Sequence, residues 1–191
     1  MKKGYNKNNI EGDFMCGIAG FVGKEKNMKK ILKGMTDRIK HRGPDAEGFF
    51  VRDEVALGQR RLSIIDIEGG KQPMFSHDGN FVVVFNGEIY NYKELKKELK
   101  DYPFQTDSDT EVLLYGYQEW GKDLPNHLRG MFAFALYDIQ EKVLFCARDP
   151  FGIKPFYYYQ NDGTFMFASE IKAFLDHPKF EKKFNEKILP A

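Results

Sequence analysis

Two short stretches of this 191-residue chain combine residue types that can break an amide bond. The first is Met15-Cys16-Gly17-Ile18-Ala19-Gly20-Phe21. Removal of Met15 would leave Cys16 with a thiol and a free α-amine on one skeleton. An α-amine has a pKa near ~7.7–8.0, so it can take the thiol proton, and nucleophile and base then come from one residue. The second is Val84-Phe85-Asn86-Gly87-Glu88-Ile89-Tyr90-Asn91. A side-chain amide beside a glycine N–H can form an oxyanion hole, and Glu88 adds a carboxylate close to it. Each stretch also has a plainer reading. Cysteine is often just a small hydrophobe in a buried strand, and Asn-Gly is a strong turn dipeptide. A strand leading through Asn86-Gly87-Glu88 into a helix makes a hairpin the less natural choice.

Two charged stretches complete the set. Arg60-Arg61-Leu62-Ser63-Ile64-Ile65-Asp66 carries paired arginines. Such arginines usually face solvent or satisfy local carboxylates, but one facing a cleft can hold a substrate carboxylate bidentately. Thr106-Asp107-Ser108-Asp109-Thr110-Glu111 reads first as a helix cap, and a carboxylate there can also bind an ammonium group. A thiol, an oxyanion hole, an arginine and two carboxylates suit a substrate with an α-carboxylate, an α-ammonium and a scissile amide. Free glutamine is such a molecule.

Other chemistries find less support. His41, His77, His127 and His177 have no zinc-ligand spacing with Cys16 and Cys146, so no metal is expected. Cysteine–histidine catalysis would need a histidine brought to Cys16 by the fold. No GxxxxGK[ST] phosphate loop occurs, and Cys146 reads as packing within a strand. A net charge of +1 gives no reason to expect nucleic acid or an anionic membrane as a partner. No apolar run approaches the roughly 20 residues that cross a bilayer. Two cysteines without an apolar leader suggest a reducing, cytoplasmic setting.

The elements that must position these residues follow from periodicity. Strands are expected at 17–22, 47–52, 55–66, 81–85, 131–138, 142–148, 154–160 and 164–168. Helices are expected at 27–40, from Asn91 to about 100, from Asp109 or Thr110 to Gly121, around 123–128, and from Ser169 to about 176. Strands, then helices, then strands suggest sheet layers covered by helices. Residues 1–14 show neither period and read as a disordered extension or a segment absent from the mature protein.

Six motifs occur in order: Met15-Cys16-Gly17-Ile18-Ala19-Gly20, His41-Arg42-Gly43-Pro44-Asp45, Arg61-Leu62-Ser63-Ile64-Ile65-Asp66, Asn86-Gly87-Glu88-Ile89-Tyr90-Asn91, Ser108-Asp109-Thr110-Glu111 and Arg148-Asp149-Pro150-Phe151-Gly152-Ile153-Lys154-Pro155. Over about residues 15–180 the chain thereby resembles the N-terminal glutaminase domain of glutamine-hydrolysing asparagine synthetases. These are class II amidotransferases of the N-terminal-nucleophile hydrolases. The resemblance implies an α+β fold, a four-layer αββα sandwich of two antiparallel sheets. It implies Cys16 as nucleophile, with its α-amine as base and then acid, and Asn86 Nδ2 and the Gly87 N–H as oxyanion donors. Arg61 would bind the α-carboxylate of glutamine and Glu88 and Asp109 its α-ammonium, helped by the Leu62 and Ile64 carbonyls. No cofactor is expected in this domain. ATP and Mg would serve a C-terminal synthetase domain whose Ser-Gly-Gly-x-Asp-Ser loop does not occur in this sequence, and residues 181–191 would begin the linker to it. A homodimer is one assembly to expect.

Two alternatives stand beside this expectation: an amidotransferase serving another acceptor, and a glutamine-binding domain whose cysteine is blocked. The latter arises because residues 1–15 would acylate the Cys16 amine if retained. They would be a propeptide, a retained block or a misassigned start. The last is favoured, because Glu11-Gly12-Asp13 can be encoded by bases that include a bacterial ribosome-binding sequence just upstream of Met15.

Overall fold

Short apolar runs buried on both faces build the centres of two sheets, and the computed structural model describes them over residues 15–62 and 70–183. In chain order the elements are β1 (Gly17–Val22), α1 (Met28–Asp37), β2 (Ala46–Arg52), β3 (Val55–Arg61), β4 (Met74–Phe75), β5 (Phe81–Ile89), α2 (Tyr92–Glu98), α3 (Glu111–Trp120), α4 (Leu124–His127), β6 (Gly130–Asp138), β7 (Val143–Arg148), β8 (Tyr157–Asn161) and β9 (Thr164–Ala168). A 3-10 turn precedes α4, and a 3-10 helix, Ile171–Asp176, follows β9.

Among the described residues one sheet has the order β2-β3-β1-β9-β8 and the other β4-β5-β6-β7. All of the strand pairs are antiparallel. Side chains alternate between faces along a strand, and the two faces of each sheet feed different cores. Val82 and Val84 of β5, and Ala133, Ala135 and Tyr137 of β6, meet Ile18, Leu57 and Phe167 of the other sheet. The intervening Val83, Phe85, Phe132, Phe134 and Leu136 pack under α2, α3 and α4 with Leu95, Val112 to Leu114 and Leu124. On the far side Ala19, Phe21 and Ala56 pack against Leu32, Met35 and Ile39 of the α1 region and Phe174 of the 3-10 helix. Three cores between four layers make the αββα sandwich that the resemblance implied. Each fully buried large apolar side chain contributes about 1.5–3 kcal/mol.

Several local expectations need correction. The strand expected at 81–85 runs on through Asn86-Gly87 to Ile89, and the hairpin is absent there as the strand-to-helix order suggests, with Asn86 opposite Ala133 and Gly87 opposite Phe132. Nine continuous pairs with β6 outweigh the dipeptide's turn preference. Asn91 precedes α2 but makes no side-chain cap bond. Its Nδ2 donates to His127 O and its Oδ1 accepts the Arg129 N–H, both at 2.9 Å, so it joins α2 to the start of β6. Thr110, not Asp109, stands at the start of α3, without a side-chain cap. The two-residue β4 carries too short a pattern to read. The expected strand 55–66 ends at Arg61 within the described residues, and its 63–66 portion lies outside them. Gly121 closes α3 as expected, with φ 56°, a conformation glycine adopts without steric cost.

Candidate active site

The expected site residues come from both sheets. Gly17 pairs with Arg60, so the register carried one residue further sets Cys16 opposite Arg61. Alternation then places the Cys16 and Arg61 side chains on the inter-sheet face, because Ile18 and Leu57, two and four residues away, lie in the inter-sheet core. By the same rule Asn86, two residues beyond Val84, faces this space from the opposite sheet. Gln59, on the same face of β3 as Arg61, donates from Nε2 to Phe85 O at 3.4 Å and bridges the sheets beside Asn86. Cys16, Arg61 and Asn86 therefore converge on one end of the sandwich.

Asn86 is 2% exposed, and its Nδ2 has no hydrogen-bond partner among the described residues. An unmade bond of this kind costs about 1–3 kcal/mol, a cost that an oxygen placed against the amide would remove. Gly87 supplies a second donor through ladder parity. Just past the paired ends of the two strands, the Tyr90 N–H donates to Arg129 O, so the N–H groups of even-numbered residues of β5 face β6 and those of odd-numbered residues face the other edge. On that edge the Phe85 N–H donates to Gln72 Oε1 at 2.6 Å and the Ile89 N–H to Asp109 Oδ2 at 2.9 Å. The Gly87 N–H lies between them, and the described residues give it no acceptor. No side chain fits at Gly87: a Cβ there would stand 2.2 Å from Met131 O.

The carboxylates lie one step further along β5. Glu88 shares the face of Asn86 and is exposed. Asp109 is half-buried just before α3, held by the Ile89 bond. Burial pushes its carboxyl above the ordinary value, the Glu88 charge adds to the rise, and backbone N–H groups of Ile89, Asp109 and Thr110 oppose it. Two carboxylates repelling each other at a partly desolvated site favour a cation between them. Leu62 follows β3 directly and is half-buried, whereas Ile64 lies outside the described residues.

Two positioning contacts were not legible in the sequence. Arg42, read only as part of a helix-breaking turn, is buried; its Nε donates to Cys16 O at 3.3 Å and its Nη1 to Glu170 Oε1 at 3.3 Å. Ser169 exchanges bonds with Ile18: the Ile18 N–H donates to Ser169 Oγ at 3.0 Å, and the Ser169 N–H donates to Ile18 O at 2.8 Å. Together they fix the backbone on either side of Gly17. A lone arginine in His41-Arg42-Gly43-Pro44-Asp45 carries no periodic signal that would reveal such a long-range bond. Arg60 takes the ordinary role expected of paired arginines, bound to Asp37 and Glu47. No histidine is hydrogen-bonded to Cys16 among the described residues; His41 pairs instead with Glu170 at 2.7 Å. Cys146 is half-buried in β7, and desolvation pushes its thiol up to about 12, as suits a packing residue.

An αββα sandwich with a cysteine at the head of its first strand defines an N-terminal-nucleophile hydrolase fold. Comparison with known proteins gives the family. The family described as "Glutamine amidotransferase domain" matches residues 15–191, and the chain belongs to it. It is 44% identical over 176 residues to asparagine synthetase [glutamine-hydrolyzing] 3 of Bacillus subtilis, covering 88% of this chain and 29% of that protein. It is 47% identical over 168 residues to asparagine synthetase [glutamine-hydrolyzing] 1 of the same organism, covering 84% and 27%. A solved structure of glutamine phosphoribosylpyrophosphate amidotransferase from B. subtilis matches with a TM-score of 0.70 at 24% identity, over 83% of this chain and 43% of that one. At that identity the likeness concerns the fold. The chain spans less than a third of the length of these synthetases, and it is homologous to their glutaminase domain. No helix among the described residues is long and apolar enough to cross a membrane.

Proposed function

We propose that this chain hydrolyses glutamine to glutamate and ammonia through a Cys16 thioester. The observation that carries the proposal is the buried, unpartnered Asn86 Nδ2 beside the edge-facing Gly87 N–H, on the inter-sheet face shared with Cys16. With Met15 removed, the Cys16 α-amine takes the thiol proton while sulfur attacks the carboxamide carbon. The oxyanion that forms is held by Asn86 Nδ2 and the Gly87 N–H. The ammonium then gives its proton to the leaving nitrogen, the C–N bond breaks, and ammonia departs from the γ-glutamyl thioester. Water attacks the thioester carbonyl, its proton passing to the amine. The second oxyanion collapses with cleavage of the C–S bond, and the sulfur is reprotonated. Arg61 holds the α-carboxylate, Glu88 and Asp109 the α-ammonium, and the Leu62 and Ile64 carbonyls assist.

The ammonia is assigned to asparagine synthesis in the cytoplasm, by a C-terminal synthetase domain of the kind implied by its full-length relatives. ATP and Mg belong to that domain, and the glutaminase step uses neither. Ammonia release from glutamine by a chain beginning at Cys16 tests the proposal. Release that Cys16→Ala abolishes is the expected result; a folded chain with a free Cys16 amine that releases none overturns it.

A further inference from the structure

The free edge of the strand that carries Asn86 and Gly87 is finished by side chains. β4 pairs with β5 over two residues only, Met74 opposite Val83 and Phe75 opposite Val82. That register, carried back along the chain, sets Gln72 opposite Phe85 and Gly70 opposite Gly87. A backbone ladder continued to Gly70 would cover the Gly87 N–H. Instead the Phe85 N–H donates to the side-chain Oε1 of Gln72 at 2.6 Å, so a side chain makes the bond that a ladder makes through its backbone.

Gln72 is held from two further directions. Its Nε2 donates to the Oγ1 of buried Thr110, at the start of α3, at 3.4 Å. Its carbonyl lies against β2, where a Cβ at Gly48 would stand 1.8 Å from Gln72 O. The contacts close a bracket around Gly87. Phe85 is bound to Gln72, Gln72 to Thr110, and Asp109, the neighbour of Thr110, accepts the Ile89 N–H. The Gly87 N–H lies between the two bracketed N–H groups. Gln59 Nε2 donates to Phe85 O at 3.4 Å, so the residue before Asn86 has both its N–H and its carbonyl held by glutamine side chains.

We propose that Gln72 is a positioning residue for the oxyanion hole. Its side-chain amide ends the ladder one step short of Gly87, which leaves that N–H open to a substrate oxygen and fixes the direction in which β5 presents it. A neutral amide suits the task, because it accepts from Phe85 and donates to Thr110 within one planar group. The inference rests on Asn86 and Gly87 being the oxyanion donors, and it adds a residue that touches neither substrate nor reacting atoms.

The test combines glutamine kinetics, on chains beginning at Cys16, with amide hydrogen exchange read by NMR. Gln72→Met keeps the length of the side chain and loses both bonds. It should lower kcat by about 10–10²-fold, the cost of a misplaced donor, with KM within about twofold of the wild type. Gln72→Glu keeps the acceptor for Phe85, and the Thr110 hydroxyl can donate to it, so it should restore most of kcat. Exchange at Phe85 should speed up about tenfold in the Met variant, while Val84 and Ala135 in the β5–β6 ladder keep the wild-type rate. Should Gln72→Met unfold, Thr110→Val breaks the other half of the bracket and should show the same fall in kcat on a smaller scale. A Met variant with wild-type kcat, a Glu variant as slow as the Met variant, or a loss confined to KM would overturn the proposal. A wild-type chain that releases no ammonia, while Phe85 exchange still responds to Gln72→Met, would instead sink the glutaminase reading and leave the clamp standing.

Discussion

Asp109 Oδ2 accepts the Ile89 N–H at 2.9 Å, and this bond joins the end of the oxyanion strand to the start of α3. It places a half-buried carboxylate one residue beyond Glu88, on the edge where the Gly87 N–H emerges. The donors for an oxyanion and the acceptors for an ammonium are thereby parts of one backbone segment, so their spacing is set by strand geometry.

Asp109 should be costly for stability and necessary for binding. Its folded pKa is raised above 3.8, so the native state holds its proton more tightly than the unfolded chain. The associated stability is present below the unfolded value and lost as pH rises through the folded one. At neutral pH Asp109→Asn should therefore raise the melting temperature, by roughly 2–4 °C for each kcal/mol relieved. The difference should vanish under acid conditions. In the same protein the glutamine KM should rise on the order of tenfold or more through loss of a charged partner. Thermal melts across pH, with kinetics at pH 7, check both signs.

Asn86 and Gly87 should fail in different ways. Asn86→Ala removes one oxyanion donor and should lower kcat by about 10²–10³ with a small change in KM. Gly87→Ala drives a methyl group against Met131 O and should destabilise the fold, by about 1–3 kcal/mol. Denaturant unfolding beside steady-state kinetics separates a catalytic loss from a structural one.

Arg61→Lys keeps the charge but loses the planar fork that grips a carboxylate. A rise in KM of roughly tenfold, larger than the fall in kcat, is the expected pattern for lost α-carboxylate binding.

Asp149 should stabilise the molecule in a pH-dependent way. Burial alone would raise its carboxyl, but N–H donors from Lys154, Ile153 and Phe132, with the Arg148 charge, hold it below 3.8. Its contribution is present above the unfolded pKa and lost as pH falls through the folded one. Asp149→Ala should cost on the order of 3 kcal/mol at pH 7, because buried N–H groups lose their acceptor. Urea melts should show the gap between the two proteins closing in strong acid.

Much of this architecture was legible because the apolar runs of β1, β5 and β6 are nearly unbroken. Ile18 and Phe21, Val82 to Phe85, and Phe132 to Leu136 each declare two buried faces, as expected of strands between layers. The long-range partners were not legible. The extension of β5 beyond residue 85 is not visible because the turn preference of Asn-Gly is local, whereas its pairing with Ala133 and Phe132 spans more than forty residues. Asn91 and Thr110 looked like caps for the same reason. Arg42 and Lys154, which reach Cys16 and Met15 from distant turns, carry no periodic signature. Arg61, Asn86, Gly87, Glu88 and Asp109 stand in three separate stretches of the sequence. That they share one end of the sandwich is a property of register, which only the paired strands reveal.

The central claim is that Cys16 attacks the side-chain carbonyl of glutamine only when its amine is free. Mass spectrometry after exposure to a diazoketone analogue of glutamine tests this directly, on chains that begin at Cys16 and chains that retain Met15. The account predicts a single adduct on the Cys16 peptide of the first, blocked by excess glutamine, and none on the second. A chain with an exposed Cys16 amine that stays unlabelled, or equal labelling of both forms, would contradict it.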